Sequence, residues 1–187
     1  MDLPRIRHSE RLIPLTRYEC HLEHIFYRTA TQILSAVQGV LSKFGTSTVT
    51  TVGHSLGAAL SLLDCIYLRL QLPADISVYA VLYGLPRVGN QDFANFVDSL
   101  MQGQVTHVNN KQDPVPILPG RFLGYHHPSG EIHIDSSNKW EVCPGQDNTF
   151  KLCSVGAVPT LVFGNTRDHN GPYDGISMPC NPSSSDT

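Results

Sequence analysis

Hydrophobic and polar positions follow two different periods along this chain. Between residues 20 and 44 the apolar side chains recur every three or four positions, which predicts a long amphipathic helix. Residues 48–54 (TVTTVGH) are short and β-branched and predict a strand. The mostly apolar residues 56–72 that follow predict a second helix, which Pro73 ends.

The alternation of strands and helices continues downstream. Residues 76–83 predict a second buried strand, 90–101 an amphipathic helix, 104–109 a third strand and 132–135 a fourth, short strand at an edge. After residue 111 frequent prolines separate long loops. The pattern predicts the α/β class: a mainly parallel sheet with helices on both faces.

The length and composition are those of a single folded domain. The chain has 187 residues, 41% hydrophobic and 16% charged, which excludes a disordered chain, a collagen-like repeat and a coiled coil. We expect an irregular segment over residues 1–17, one domain over 18–180 and a disordered tail over 181–187.

The charge distribution argues against nucleic acid as a partner. Thirteen basic and sixteen acidic residues give a net charge of −3, and no basic stripe is present. No apolar run approaches eighteen residues, so no transmembrane segment is predicted. The first residues of this chain lack the apolar stretch of a signal peptide, and nothing in the pattern implies a protein partner.

The five cysteines are an odd number. Cys143 and Cys153 bracket a turn-rich loop and could close a local disulfide worth about 2–4 kcal/mol. The alternative is that all five are reduced thiols. A disulfide would place the protein in an oxidising compartment. Cys65 lies in an apolar helical stretch and is expected to be a buried thiol, while Cys20 and Cys180 have no assigned partner.

The pentapeptide Gly53-His54-Ser55-Leu56-Gly57 stands between a predicted strand and a predicted helix, the context of a nucleophile turn. Such a turn exposes the Ser55 hydroxyl, and a side chain at 53 or 57 would collide with the crossing backbone. We expect His54 to point away from Ser55 and to pack. The Leu56 N–H is expected to donate to an oxyanion, with no second donor identifiable. The alternative is an ordinary glycine-rich turn with an incidental serine.

A serine nucleophile needs a base and an acid that orients the base. In folds with this kind of turn the serine comes first along the chain, the Asp or Glu second and the His last. Asp113 follows the third predicted strand, at the end where site residues of such sheets gather. From spacing alone Asp92, Asp98 and Asp135 remain open as alternatives.

The base is sought among the late histidines. His169 lies in a Gly/Pro-rich loop with no strand or helix pattern, whereas His107 is inside a predicted strand. A metal site at His126, His127 and His133 lacks the carboxylate or cysteine that would complete a recognisable ligand set. We therefore predict neither a metal nor an organic cofactor.

Four segments of this chain resemble the class 3 (fungal-type) lipase family: TVTTVGHSLGAALSLLD, YGLPRVGNQDFANFV, NNKQDPVPILP and DHNGPYDG. The resemblance covers about residues 24–180 and implies the α/β-hydrolase fold. It also implies Ser55 as nucleophile, Asp113 as the acid that orients the base and His169 as the base.

The resemblance also implies missing parts. Residues 18–180 correspond to part of a catalytic domain, while residues 1–17 have no family counterpart. The family's earlier strands, its lid helix and the loop that gives a second oxyanion donor are expected to be absent. This pattern is that of an N-terminally truncated or mis-joined family member, with low stability and weak activity.

The resemblance implies a secreted triacylglycerol lipase-like enzyme of lipid metabolism. It would hydrolyse lipid or other esters, at a lipid–water interface, through an acyl-enzyme. One alternative is a feruloyl-type esterase that acts on plant cell-wall esters. Another is a catalytically impaired fragment or a non-catalytic lipid-binding domain.

Overall fold

A computed structural model describes residues 17–178 of the chain. Helices and strands alternate in it as the hydrophobic pattern predicts. The helices are α1 (Arg17–Phe44), α2 (Leu56–Gln71), α3 (Gln91–Met101) and the short α4 (Ser154–Ala157). The strands are β1 (Thr48–His54), β2 (Ser77–Tyr83), β3 (Gly89–Asn90), β4 (Val105–Asn110), β5 (Tyr125–His126), β6 (Glu131–Ile134) and β7 (Trp140–Cys143). Short 3-10 turns cover Val115–Ile117, Arg121–Leu123, Leu161–Phe163 and Thr166–Asn170.

The predicted boundaries in the first half of the domain agree closely with the structure. β1 spans the predicted residues 48–54, and α2, β2, α3 and β4 each begin and end within one residue of their predicted limits. The prediction of an irregular segment over 1–17 lies outside the described residues except for Arg17, the first residue of α1. The predicted tail over 181–187 also lies outside them.

The main sheet has five strands in the order β1-β2-β4-β6-β7. The first four are parallel, and β7 is antiparallel to β6. We predicted a strand at 132–135 and an edge position for it; the strand is present as β6, but the edge position is wrong. Residues 140–143 add a further strand outside β6, which sequence analysis missed because Val142 is 72% exposed and no buried apolar run marks it.

The hydrophobic core lies on one face of this sheet. Val78, Ala80 and Leu82 alternate along β2 and form one cluster with side chains of α1, α2 and α3. On the opposite face Val52 and Tyr79 are 61% and 40% exposed. The mainly parallel sheet with helices is confirmed, and in residues 17–178 side chains of α1, α2 and α3 share the core cluster on the Val78 face of the sheet.

A disulfide closes the loop after β7. Cys143 and Cys153 are bonded, as predicted. Cys65 is a buried free thiol, also as predicted, and its burial raises the pKa to about 11. The side chain of Cys20 and the whole of Cys180 lie outside the described part of the chain. None of the helices in residues 17–178 combines the length and hydropathy that a membrane crossing requires.

Candidate active site

Ser55 occupies a strained turn between β1 and α2. Its backbone has φ 58° and ψ −128°, a left-handed φ that non-glycine residues rarely adopt. The turn is held by the Ser55 N–H, which donates to the Tyr83 carbonyl at 2.9 Å, and by the Ser55 carbonyl, which accepts from Ala58. This geometry brings the Ser55 side chain to the carboxyl end of the parallel strands, as predicted for a nucleophile turn.

The two glycines of the pentapeptide have different surroundings. A Cβ at Gly53 would collide with the Gly57 carbonyl, so the predicted crowding is confirmed there. The same prediction for Gly57 is wrong, because a Cβ at that position would meet no heavy atom of the described residues within 4 Å. Gly57 lies on the partly exposed side of the first helical turn, whereas Ala58 and Ala59 are fully buried.

Three residues far apart in the sequence form one chain of hydrogen bonds. His169 Nδ1 lies 2.8 Å from Asp113 Oδ2, and His169 Nε2 lies 2.7 Å from Ser55 Oγ. Because a carboxylate only accepts, Nδ1 carries the proton and Nε2 is left to accept from the Ser55 hydroxyl. The structure therefore brings together the three residues that sequence analysis selected.

Asp113 is positioned by a short loop after β4. Its N–H donates to the Asn110 carbonyl at 3.0 Å, and its Oδ1 accepts from the Val115 N–H at 2.8 Å. The side chain of Asn110 reaches across to the Asp168 carbonyl at 2.9 Å. Hydrogen bonds thus tie the loop that carries the acid to the turn that carries His169.

The alternative carboxylates have other partners. Asp98 accepts from the N–H and the hydroxyl of Ser129 at 2.8 and 2.7 Å. Asp135 accepts from two N–H groups of its own turn, and Asp92 lies in the first turn of α3. The loop geometry places Asp113, alone of these four carboxylates, against His169.

Two of the other late histidines form a buried pair. The rings of His107 and His127 stack with centroids 4.9 Å apart and an angle of 16° between their planes. Their Nε2 atoms donate to the carbonyls of Pro128 and Pro116 respectively. Burial lowers the pKa of both, that of His127 to about 3, so both imidazoles are neutral at pH 7.

The remaining histidines considered for a metal site are also engaged elsewhere. His133 lies between the carbonyls of Leu152 and Lys111, at 2.7 and 2.8 Å. His126 Nδ1 lies 3.3 Å from Asp147. Within residues 17–178 no cluster of three or more His, Cys, Asp or Glu side chains could hold a metal ion.

His54 contacts the residue predicted to be the base. Its Nε2 lies 2.7 Å from the His169 carbonyl oxygen, and the two rings lie 4.5 Å apart. The hydroxyl of Tyr173 donates to the same carbonyl at 3.1 Å. The expectation that His54 packs is confirmed, and the residue it packs against is His169. Its place beside the nucleophile was the only signal that could have suggested this contact.

The backbone at the start of α2 bears on the predicted oxyanion donor. Leu56 is the first residue of the helix, and the first N–H groups of a helix have no partner within it. The position suits an N–H that donates to a developing negative charge beside Ser55. Its role stays a prediction, and the described residues suggest no particular second donor.

An apolar cleft of about 1030 Å³ opens at Ser55. Its two walls come from residues 115–123 and 158–162. Phe122 and Val162 are each 90% exposed. Apart from Ser55, Arg87, Arg121 and Thr160 the lining is apolar, largely aliphatic and proline-rich, so the cleft suits a hydrophobic chain better than a polar group.

A buried ion pair supports one wall of the cleft. The Arg87 guanidinium donates twice to Asp147 Oδ1, at 2.8 and 2.6 Å. It also donates to the carbonyls of Ile117 and Pro119 in the wall. Asp147 belongs to the disulfide loop, so that loop and the cleft wall are connected through one side chain.

Comparisons with known proteins agree with this fold and site. Residues 6–123 match the family model described as Lipase (class 3). Among solved structures, lipase II from Rhizopus niveus is 30% identical with a TM-score of 0.73, over 84% of this chain and 58% of that one. The lipase from Rhizopus microsporus var. chinensis is 27% identical, also with a TM-score of 0.73, over 90% of this chain and 61% of that one. The fold is thus that of the α/β-hydrolase lipases.

The similar proteins by sequence are secreted fungal lipases. The secreted mono- and diacylglycerol lipase MDL3 of Malassezia globosa is 43% identical over 139 residues, which are 71% of this chain and 44% of that protein. MDL2 of the same organism is 43% identical over 129 residues, 68% of this chain and 40% of that protein. The chain belongs to the class 3 lipase family, and it spans less than half the length of these relatives.

Proposed function

We propose that this chain is a serine carboxylic-ester hydrolase that cleaves acylglycerols, with residues 18–180 as part of its catalytic domain. The observation that carries the proposal is the contact of His169 with both Ser55 and Asp113, at 2.7 and 2.8 Å, beside an apolar cleft. Such an arrangement activates a serine hydroxyl by removing its proton.

The proposed reaction has two halves. The Ser55 Oγ attacks the ester carbonyl while His169 Nε2 takes its proton, and the collapse of the tetrahedral intermediate transfers that proton to the leaving alcohol. Water then attacks the acyl-enzyme, gives a proton to His169 and releases the carboxylic acid as Ser55 regains its hydrogen. Asp113 holds the imidazole in the required tautomer and stabilises the imidazolium. The Leu56 N–H donates to the oxyanion.

The cleft supports a fatty acyl chain as the group bound next to Ser55. Its lining along residues 115–123 and 158–162 is mostly apolar, and burial of each CH₂ of a bound chain contributes about 0.8 kcal/mol. Similar proteins are named mono- and diacylglycerol lipases, which supports acylglycerols rather than cell-wall ferulates as the substrates proposed for this chain. Acylglycerols with one, two or three acyl chains are therefore the substrates to compare.

An extracellular location is part of the same proposal. The similar proteins are named as secreted lipases, and the Cys143–Cys153 disulfide is the kind of bond that persists in oxidising compartments.

The first experiment asks whether Ser55 is the nucleophile. The purified chain is treated with a fluorophosphonate probe and the labelled peptide is identified by mass spectrometry. We expect labelling at Ser55, loss of labelling in Ser55→Ala, and normal labelling in Ser99→Ala, whose serine is exposed on α3. A folded protein that does not label at Ser55 would overturn the catalytic proposal in favour of a non-catalytic lipid-binding domain.

The second experiment measures substrate class. Hydrolysis of mono-, di- and trioleoylglycerol is compared with that of methyl ferulate, using wild type and Asp113→Asn. We expect release of oleate, and a decrease of about 10⁴-fold in kcat for Asp113→Asn because the imidazole loses its orienting acceptor. Preference for methyl ferulate would assign the chain to the feruloyl-type esterases instead.

A further inference from the structure

We infer that His54 is a positioning residue that holds the base His169 against the nucleophile. The inference rests on the proposed function of Ser55 and His169. Beyond that function, it assigns a task to His54, the residue before the nucleophile. In this task His54 neither attacks the substrate nor transfers a proton.

The contact between the two histidines has a defined polarity. A carbonyl oxygen only accepts, so the His54 Nε2 that lies 2.7 Å from the His169 oxygen must be the protonated nitrogen. The rings lie 4.5 Å apart at an angle of 33°, so His54 contacts His169 through both its ring face and its N–H. The main chain and the side chain of the base are thus held by one residue.

Tyr173 completes the support of the same carbonyl. Its hydroxyl donates to the His169 oxygen at 3.1 Å, and its side chain is only 3% exposed. Burial raises the pKa of Tyr173, so the hydroxyl remains a donor at any pH at which the protein is handled. The tyrosine ring packs edge-on against both His54 and Tyr83, with centroids 6.1 and 5.3 Å away.

His169 needs such support because of where it lies in the fold. It belongs to a five-residue 3-10 turn in a long loop, and loops move more than the sheet that carries Ser55. His54 is the last residue of β1 and the covalent neighbour of Ser55. One strand end therefore carries both the nucleophile and the donor that holds its base, which couples the position of the imidazole to that of the hydroxyl.

The predicted consequence lies in kcat. A displacement of about 1 Å between reacting groups can cost 10²-fold in rate. We expect His54→Phe, which keeps a ring but removes the N–H, to lower kcat by about 10- to 100-fold. KM should change little, because His54 is not among the residues that line the cleft.

A matched pair of polar variants separates the hydrogen bond from packing. In His54→Gln the amide Nε2 stands four bonds from Cα, as the imidazole Nε2 does, and it can donate to the His169 carbonyl. In His54→Asn the amide nitrogen is one bond closer to Cα and falls short. We expect the glutamine variant to regain most of the kcat lost in the phenylalanine variant, and the asparagine variant to stay impaired.

Hydroxyl removal gives an independent measure. Tyr173→Phe is expected to lower kcat by severalfold, since the carbonyl keeps its bond to His54, and to lower it further when combined with His54→Phe. The control is Tyr79→Phe, which removes a hydroxyl from an exposed side chain four residues before the end of β2. Circular dichroism confirms that each variant is folded before it is assayed.

Several outcomes would overturn the inference. A folded His54→Phe with wild-type kcat would do so, as would a glutamine variant no better than the asparagine variant, or a loss expressed only in KM. Failure of the proposed function looks different: wild type itself would then not label at Ser55 with fluorophosphonate. A labelled, active wild type with fully active His54 variants would overturn the positioning role alone.

Discussion

The buried ion pair between Arg87 and Asp147 allows a quantitative test of what holds the cleft wall. The two side chains are only 2% and 4% exposed, and two hydrogen bonds join them. Asp147→Asn keeps the shape of the side chain but leaves the guanidinium buried without a counter-charge. We expect the free energy of unfolding to fall by about 3–5 kcal/mol, whereas loss of an exposed pair would cost about 0–1 kcal/mol.

The pH dependence of this difference follows from the pKa of Asp147. Burial alone would raise it, but the charge of Arg87 and the hydrogen bonds donated by Arg87 and by the His127 N–H outweigh burial, and the pKa lies below its usual value. The stabilisation is therefore fully present above the unfolded carboxyl pKa of about 3.9 and is lost as the pH falls through the folded value. Wild type and Asp147→Asn should differ at pH 7 and converge in acid.

The assay is urea unfolding followed by circular dichroism at 222 nm, at pH 7 and near pH 3. The control is Asp75→Asn, an exposed carboxylate in the turn before β2, which should leave the midpoint unchanged. A loss below about 1 kcal/mol for Asp147→Asn at pH 7 would refute the reasoning, since the pair would then behave as a solvated surface contact.

Three further predictions concern stability. Burial lowers the pKa of His127 to about 3, so this histidine takes up a proton at a higher pH in the unfolded chain than in the folded one. Urea midpoints should therefore decrease as the pH drops from about 6.5. Gly53→Ala forces a Cβ against the Gly57 carbonyl and should lower the free energy of unfolding by about 1–3 kcal/mol, whereas Gly57→Ala should not, as measured by thermal unfolding. Replacement of both Cys143 and Cys153 by serine should cost about 2–3 kcal/mol on the chain-entropy account, measured by urea unfolding with and without reductant.

Each of these has an outcome that contradicts it. Midpoints that stay constant between pH 6.5 and 4 would show that His127 is not held neutral by its surroundings. Equal destabilisation by the two alanine variants would mean that crowding at Gly53 is not what separates them. With reductant, the wild-type urea midpoint should fall no lower than that of the serine variant. If the two proteins have equal midpoints in the absence of reductant, the disulfide does not stabilise the fold.

Much of the fold could be read from local patterns because the forces that make them are local. β-branched residues before Ser55 favour an extended strand, and the apolar period after it favours a buried helix. The edge position assigned to β6 was wrong for the opposite reason. The strand outside it, Trp140–Cys143, pairs with β6 by backbone hydrogen bonds while Val142 faces solvent, so its hydrophobic pattern is weak.

The residue types of the candidate site follow from sequence, but their contacts do not. The pentapeptide pointed to Ser55 and the late loop to His169, whereas spacing left Asp92, Asp98 and Asp135 open beside Asp113 and the family resemblance chose Asp113. Nothing in these patterns shows that the His54 ring meets His169, because this contact joins positions 115 residues apart. The error at Gly57 has a similar origin, since steric room depends on which side of α2 the residue faces.

The sequence by itself therefore determined the α/β alternation, the turn that presents Ser55 and the selection of His169 among the late histidines. These depend on backbone preferences and on the short-range spacing of side chains. Only the tertiary structure decided which carboxylate meets His169, which strand closes the sheet and what holds the base in place. Those features depend on long loops brought together by burial and by hydrogen bonds to backbone carbonyls, whose partners no local pattern records.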